Sequence, residues 1–240
     1  MEDIITLLGT YRGRDKFIRT TSYVLHVIAG TRNPENEATI RGICAQFSKA
    51  RVILRLFDDL PMLGYSLSYG LGKHEKDPII RILSVLGLIS GQAYFPVEHI
   101  AWAADAGLIN VKDSSKWWQA GTALWGCSLV IGILRSLRLL ARLQGKIGHM
   151  KKQRKLEASS EYEQTYKSEM ANIRKQAQGE FLTIAINLAD LMCAVNWLPE
   201  GFLWSGTFNA TQTGVFGSIS SSLGLLKLFI EQKAAKKKAA

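Results

Sequence analysis

The sequence predicts an all-α fold, a helical integral membrane protein with an N-terminal amphipathic-helix region and two to four membrane spans. Three observations predict it. Apolar residues in the first sixty positions recur at helical rather than strand spacing. Charge-free runs approaching the thickness of a bilayer follow them. Basic clusters flank those runs, as they flank spans whose ends stay in the cytosol. The chain has 240 residues, enough for one globular domain with a sizeable core. Its composition argues against that: hydrophobic residues make up 47%, the net charge is +10 and the mean hydropathy is +0.04. Those values together describe long apolar runs separated by basic ones.

Residues 1–78 form a cytosolic helical region in this reading. Helical periodicity covers 3–30 and 39–60, and Asn33-Pro34-Glu35-Asn36 makes a polar turn between them. The acidic start, Met1-Glu2-Asp3, is followed by Arg12, Arg14, Lys16 and Arg19, the reverse of the charge order of a secretory signal. The C-terminal residues are not of the Ser-Lys-Leu type, so the expected address lies in the spans and basic clusters.

Within this region the helix at about 39–60 carries the clearest mechanism. Ile43, Phe47, Ala50, Leu54 and Phe57 recur at spacings of four and three, with Ile53 beside them, and form the candidate membrane-inserting face. Opposite them stand Arg41, Ser48, Arg51, Arg55 and Asp59, of which Arg41, Arg51 and Arg55 are the candidate contacts to lipid phosphates. Such a helix can lie in the headgroup layer of an anionic membrane. The same stripe also suits a helix packed on its neighbours, and periodicity does not decide between the two.

The membrane region extends over 79–134. Its first span, 82–104, is weak because Pro96 interrupts the apolar run. Its second, 117–134, is free of charge and begins with Trp117-Trp118, suited to an interfacial belt. Residues 135–180 then read as a basic cytosolic loop, with Arg135, Arg138, Arg142 and Lys146 at its start and a helix over 151–178 that places Glu163 and Lys167 at i,i+4. A C-terminal membrane hairpin spans 181–226, turning at Pro199-Glu200-Gly201, and a basic cytosolic tail occupies 227–240. Four crossings satisfy the charge bias with both termini in the cytosol.

Two features of the hairpin point to function. Gly206, Ala210, Gly214, Ser218 and Ser222 recur at every fourth residue, a candidate helix–helix association series, either between molecules or within one bundle. Asp190 lies inside an apolar run, where a carboxylate is costly, and with Asn187 and Asn209 it could line a polar path or serve as a hydrogen-bonded structural acid. In the tail, Lys237 and Lys238 stand at the positions of a dilysine signal, or simply flank the membrane.

Other chemistry has little to stand on. The histidines His26, His74, His99 and His149 sit in unrelated contexts, and no phosphate loop, nucleophile elbow or metal-ligand spacing occurs, so neither an enzyme nor a cofactor nor a metal site is expected. The three cysteines, Cys44, Cys127 and Cys193, are dispersed and suggest a reducing compartment. The aromatics lie in the apolar runs rather than among the basic residues, which argues against a nucleic-acid partner.

Two stretches carry a family resemblance. Tyr11-Arg12-Gly13-Arg14-Asp15-Lys16, with Ile18-Arg19 and Tyr23, resembles the start of the peroxin-11 family and looks like its gamma-type branch. Gly91-Gln92-Ala93-Tyr94-Phe95, with Glu98-His99-Ile100-Ala101-Trp102-Ala103 and Gly107-Leu108, resembles that family's stretch after the amphipathic helix. The length, the apolar C-terminal run and the basic tail match as well. The resemblance implies a multi-pass protein of the peroxisomal membrane that promotes peroxisome elongation, proliferation and fission. It implies as partners other copies of the chain, other family members, and the dynamin-type fission machinery with its membrane adaptors. The polar path keeps a small-solute channel as the alternative. Pro61, Gly64 and Gly72 are where the chain departs from the family pattern, and there the amphipathic helix is expected to break early.

Overall fold

A computed structural model describes residues 2–30, 34–156 and 160–239. The described residues form eight helices: α1 (Glu2–Gly9), α2 (Tyr11–Ala29), α3 (Pro34–Arg55), α4 (Asp59–Tyr69), α5 (Pro78–Asp105), α6 (Ser114–Leu156), α7 (Ser160–Asn196) and α8 (Ala210–Ala239). Of the expected polar turn, Asn33 lies outside the described residues, while Pro34-Glu35-Asn36 open α3. Proline suits a first helical turn, where its missing N–H has no intrahelical acceptor to satisfy.

Four helices, α5 to α8, are long and apolar enough to cross a membrane. In α5 and α6 only 11% of the most apolar window is buried inside the chain, so most of those side chains face outward. Ile82, Leu86 and Ile89 of α5 and Val130 and Leu134 of α6 are exposed in this way. A water-soluble bundle would turn that surface into a core, whereas lipid is its natural solvent. Pro96 lies inside α5 without ending it. The carboxylate of Asp77 caps that helix, accepting from the backbone N–H of Ile79 at 3.0 Å and of Ile80 at 3.3 Å.

The segment expected as a basic helical loop, 135–180, consists among the described residues of the second half of α6 and the first half of α7, each continuous with an apolar helix. α6 runs 43 residues without a break, about 65 Å at the helical rise, roughly twice the hydrocarbon thickness. Its basic half and the first half of α7 pack as an antiparallel pair around Met150, Tyr166 and Ile173. Lys146–Glu169 at 2.6 Å and Arg154–Glu163 at 2.7 Å bridge the pair on its surface. Arg138–Asp77 and Arg142–Glu75 tie it to the start of α5.

The N-terminal helices pack along the chain's C-terminal helix. α2 runs antiparallel to α8: Gly30 meets Thr211, Val27 meets Gly214, Tyr23 meets Gly217 and Lys16 meets Gly224. α3 folds back along α2, with the Cys44 thiol donating to the carbonyl of Ser22 at 3.4 Å. Asp3 and Lys236 pair at 2.9 Å, so the first and last described turns lie side by side.

Candidate membrane-facing surface

α3 has two working faces. Cys44 is buried and Phe47, Arg51 and Arg55 are partly buried on the side turned toward the rest of the chain. Ile43, Ala50, Ile53 and Leu54 are exposed on the other side, and Phe57, in the turn that follows α3, is exposed by 75%. Five of the six apolar residues expected at a membrane are thus exposed, Ile53 among them at a cleft that faces the span helices, and Phe47 is partly buried.

The arginines behave differently from the expectation. Arg51 Nε donates to Asp15 Oδ1 of α2 at 2.7 Å. Arg55 Nε donates to Glu98 Oε1 of α5 at 3.1 Å and its Nη2 bonds the same oxygen, while Tyr94 donates to that oxygen at 2.6 Å. Arg41 is exposed and forks onto Glu37 Oε1 at 2.8 and 2.6 Å. The role of free lipid-phosphate contact therefore does not fit Arg51 and Arg55. Helical spacing places them opposite the apolar stripe, but that side meets carboxylates of α2 and α5 instead of headgroups.

The helix break comes before Pro61 rather than at it. Residues 56–58 form a turn and α4 starts at Asp59, so Pro61 falls in its first turn, where no backbone donor is needed. Tyr11 Oη donates to Asp58 at this turn at 3.0 Å. Burial, and then that carboxylate, push the hydroxyl up to about 12, so it stays a donor. Beyond the turn, Leu60, Leu63 and Leu67 of α4 and then Leu71 are exposed and extend the apolar surface of α3. Their spacing of three, four and four was the available signal for a second amphipathic helix, masked by Pro61 and Gly64.

The association series does not form one stripe. Gly206 lies before α8, in the turn, with φ at +69°. Gly214 is buried against α2, Ser222 is exposed, and the close helix contact is made by Gly214, Gly217 and Gly224. A Cβ on Gly217 would fall 2.3 Å from the Tyr23 ring. Gly214 of the series thus packs between α8 and α2 of one chain, which is one of the two readings the sequence left open.

The polar path does not assemble either. Asp190 is buried and takes Arg19 of α2 in a two-point bond, Nη2–Oδ1 at 2.5 Å and Nη1–Oδ2 at 3.3 Å, with Ser220 Oγ 3.4 Å from Nη2. Asn187 faces Gly132 of α6. Asn209 caps α8, its Oδ1 accepting from Gln212 N–H at 2.9 Å while Gln212 Oε1 accepts from Asn209 N–H at 3.0 Å. The three polar residues thus have separate structural partners. The side chains of Lys237 and Lys238 lie outside the described residues.

Comparison with known proteins identifies the family. The model of the family described as Peroxisomal biogenesis factor 11 (PEX11) matches residues 1–229. The chain belongs to the peroxisomal biogenesis factor 11 family. It is 39% identical to the human protein named Peroxisomal membrane protein 11C over 232 residues, covering 94% of this chain and 92% of that one. It is also 39% identical to the mouse protein of the same name over 226 residues, covering 92% and 90%. No solved structure matches. The family is one of peroxisomal membrane proteins involved in peroxisome biogenesis, and the outward apolar faces of α5 and α6 fit a member that resides in that membrane.

Proposed function

We propose that this family member lengthens the peroxisomal membrane and prepares it for fission by laying the outward face of α3, continued by α4, into one leaflet. The observation that carries the reading is the exposure of Ile43, Ile53 and Leu54, and of Phe57 just beyond them, on a helix whose charged side is already occupied by the chain's own carboxylates. Each large apolar side chain contributes roughly 1.5–3 kcal/mol when fully buried, and less when partly buried, so a handful hold the segment down reversibly. Area added to one leaflet favours curvature. Spans α5 to α8 anchor the surface, and both termini lie on one face, proposed as the cytosolic one because the basic α6–α7 extension is there.

The partners in this proposal follow from the family: anionic membrane lipids, further copies of the chain, other family members, and the dynamin-type fission machinery with its membrane adaptors. The test is overproduction in cells of the variant Ile53→Glu/Phe57→Glu, whose changed side chains are exposed. The variant remains in the carbonate-resistant membrane pellet, because its spans are intact, and no longer elongates peroxisomes. Elongation equal to that of the unmodified chain contradicts the proposal.

A further inference from the structure

The α2–α3 hairpin leans on α8, is tied to α7 by Arg19–Asp190, and meets α5 chiefly through Arg55–Glu98 and through His99 Nε2, which lies 3.2 Å from the carbonyl oxygen of Leu56. Between the hairpin and α5, α6 and the end of α7 this leaves a cleft of about 830 Å³. That volume is ample for a sizeable organic ligand. Its wall has two characters. On the hairpin side are Lys16, Arg19, Lys49, Arg51 and Arg55, and on the span side are five of the chain's six tryptophans, with Trp125 and Trp197 stacked at 6.0 Å.

The charges do not cancel. Arg19 is closed by Asp190, Arg51 by Asp15 and Arg55 by Glu98. Asp105 Oδ2 accepts the Trp118 indole N–H at 2.7 Å. Lys16 and Lys49, on two different helices, remain without a carboxylate at ion-pair distance among the described residues. The cleft thus offers two ammonium groups from separate elements above an aromatic floor. It lies beside helices whose outward faces are apolar, near span ends rich in tryptophan, which is the level of lipid headgroups.

We infer that the cleft is a binding site for a phosphate-bearing amphiphile, an anionic glycerophospholipid whose headgroup meets Lys16 and Lys49 and whose apolar body lies on the indoles. Lysine ammoniums serve as point charges for a phosphate, and the indole faces accept glycerol and the upper acyl chain. The inference is independent of whether α3 enters a leaflet, since the lipid here sits inside the fold.

The tryptophans make the site readable. The full-length protein is reconstituted into phosphatidylcholine bilayers that contain, at equal mole fraction, either phosphatidylserine or phosphatidylcholine with brominated chains, which quench nearby indoles. Brominated phosphatidylserine quenches more strongly, and the excess shifts to higher lipid fraction by roughly fivefold for each of Lys16→Gln and Lys49→Gln. Lys49→Gln changes an exposed side chain and guards against a folding defect in Lys16→Gln. Lys112→Gln, in the α5–α6 turn and outside the cleft, leaves the excess unchanged. Equal quenching by the two lipids, an excess that survives both substitutions, or an equal loss in Lys112→Gln overturns the inference. So does removal of the excess by inorganic phosphate in solution, which would make the site one for a soluble anion.

Discussion

Arg19 and Asp190 show what one pair of residues does for this fold. Both are buried, 171 positions apart in sequence, and each would be an isolated charge without the other. Removing one partner of such a pair costs about 3–5 kcal/mol, because the remaining charge has no water to return to. Arg19→Ala in detergent is therefore expected to unfold at markedly lower temperature. The double variant Arg19→Met/Asp190→Leu should recover most of the loss, since it leaves no charge behind. Equal stability of Arg19→Ala and the unmodified chain would show that the pair is solvated and does not lock α2 to α7. The sequence marked Asp190 as a costly acid, because an apolar run surrounded it. It could not name Arg19, since a partner brought in from another helix leaves no trace in local spacing. Arg51 and Arg55 posed the same difficulty: periodicity placed them opposite an apolar stripe, but whether that side meets phosphate or carboxylate depends on what packs there.

At the scale of elements, the helices were legible and their ends were not. The charge-free run 117–134 falls within α6, one of the helices long and apolar enough to cross a membrane, yet α6 continues to Leu156 because lysine, arginine and leucine are good helix formers. Hydropathy reports where lipid ends, not where a helix ends. The small-residue series was readable as close packing, but the partner it selected was α2 of the same chain. That placement separates two glycine substitutions. Gly217→Leu drives a side chain into the Tyr23 ring and should loosen α2 from α8, seen as faster amide hydrogen exchange in α2. Gly206→Leu lies at positive φ in the turn, where a side chain strains the backbone by about 1–2 kcal/mol, and should leave α2 exchange unchanged. Slow exchange of α2 in Gly217→Leu would rule out that contact as the one that seats the hairpin.

The whole molecule combines four apolar helices with an N-terminal hairpin fastened along them, and its membrane class was legible from the runs and their basic flanks. The seating of α2 against α8 was not, because α2 carries Arg12, Arg14, Lys16 and Arg19 and reads as a helix for water. The opposing Asp190 and the glycines of α8 give it a place. That seating also fixes the orientation of α3, charged side inward and apolar side outward, on which the membrane-shaping account depends. The most direct measurement is the environment of that outward face in a bilayer. With the full-length protein reconstituted in liposomes, a fluorophore on Phe57→Cys should be quenched by nitroxide-bearing lipid and shielded from iodide. A fluorophore on Arg41→Cys, exposed on the opposite side of α3, should show the reverse. Quenching of both positions by iodide and of neither by lipid would place α3 in water and contradict the account.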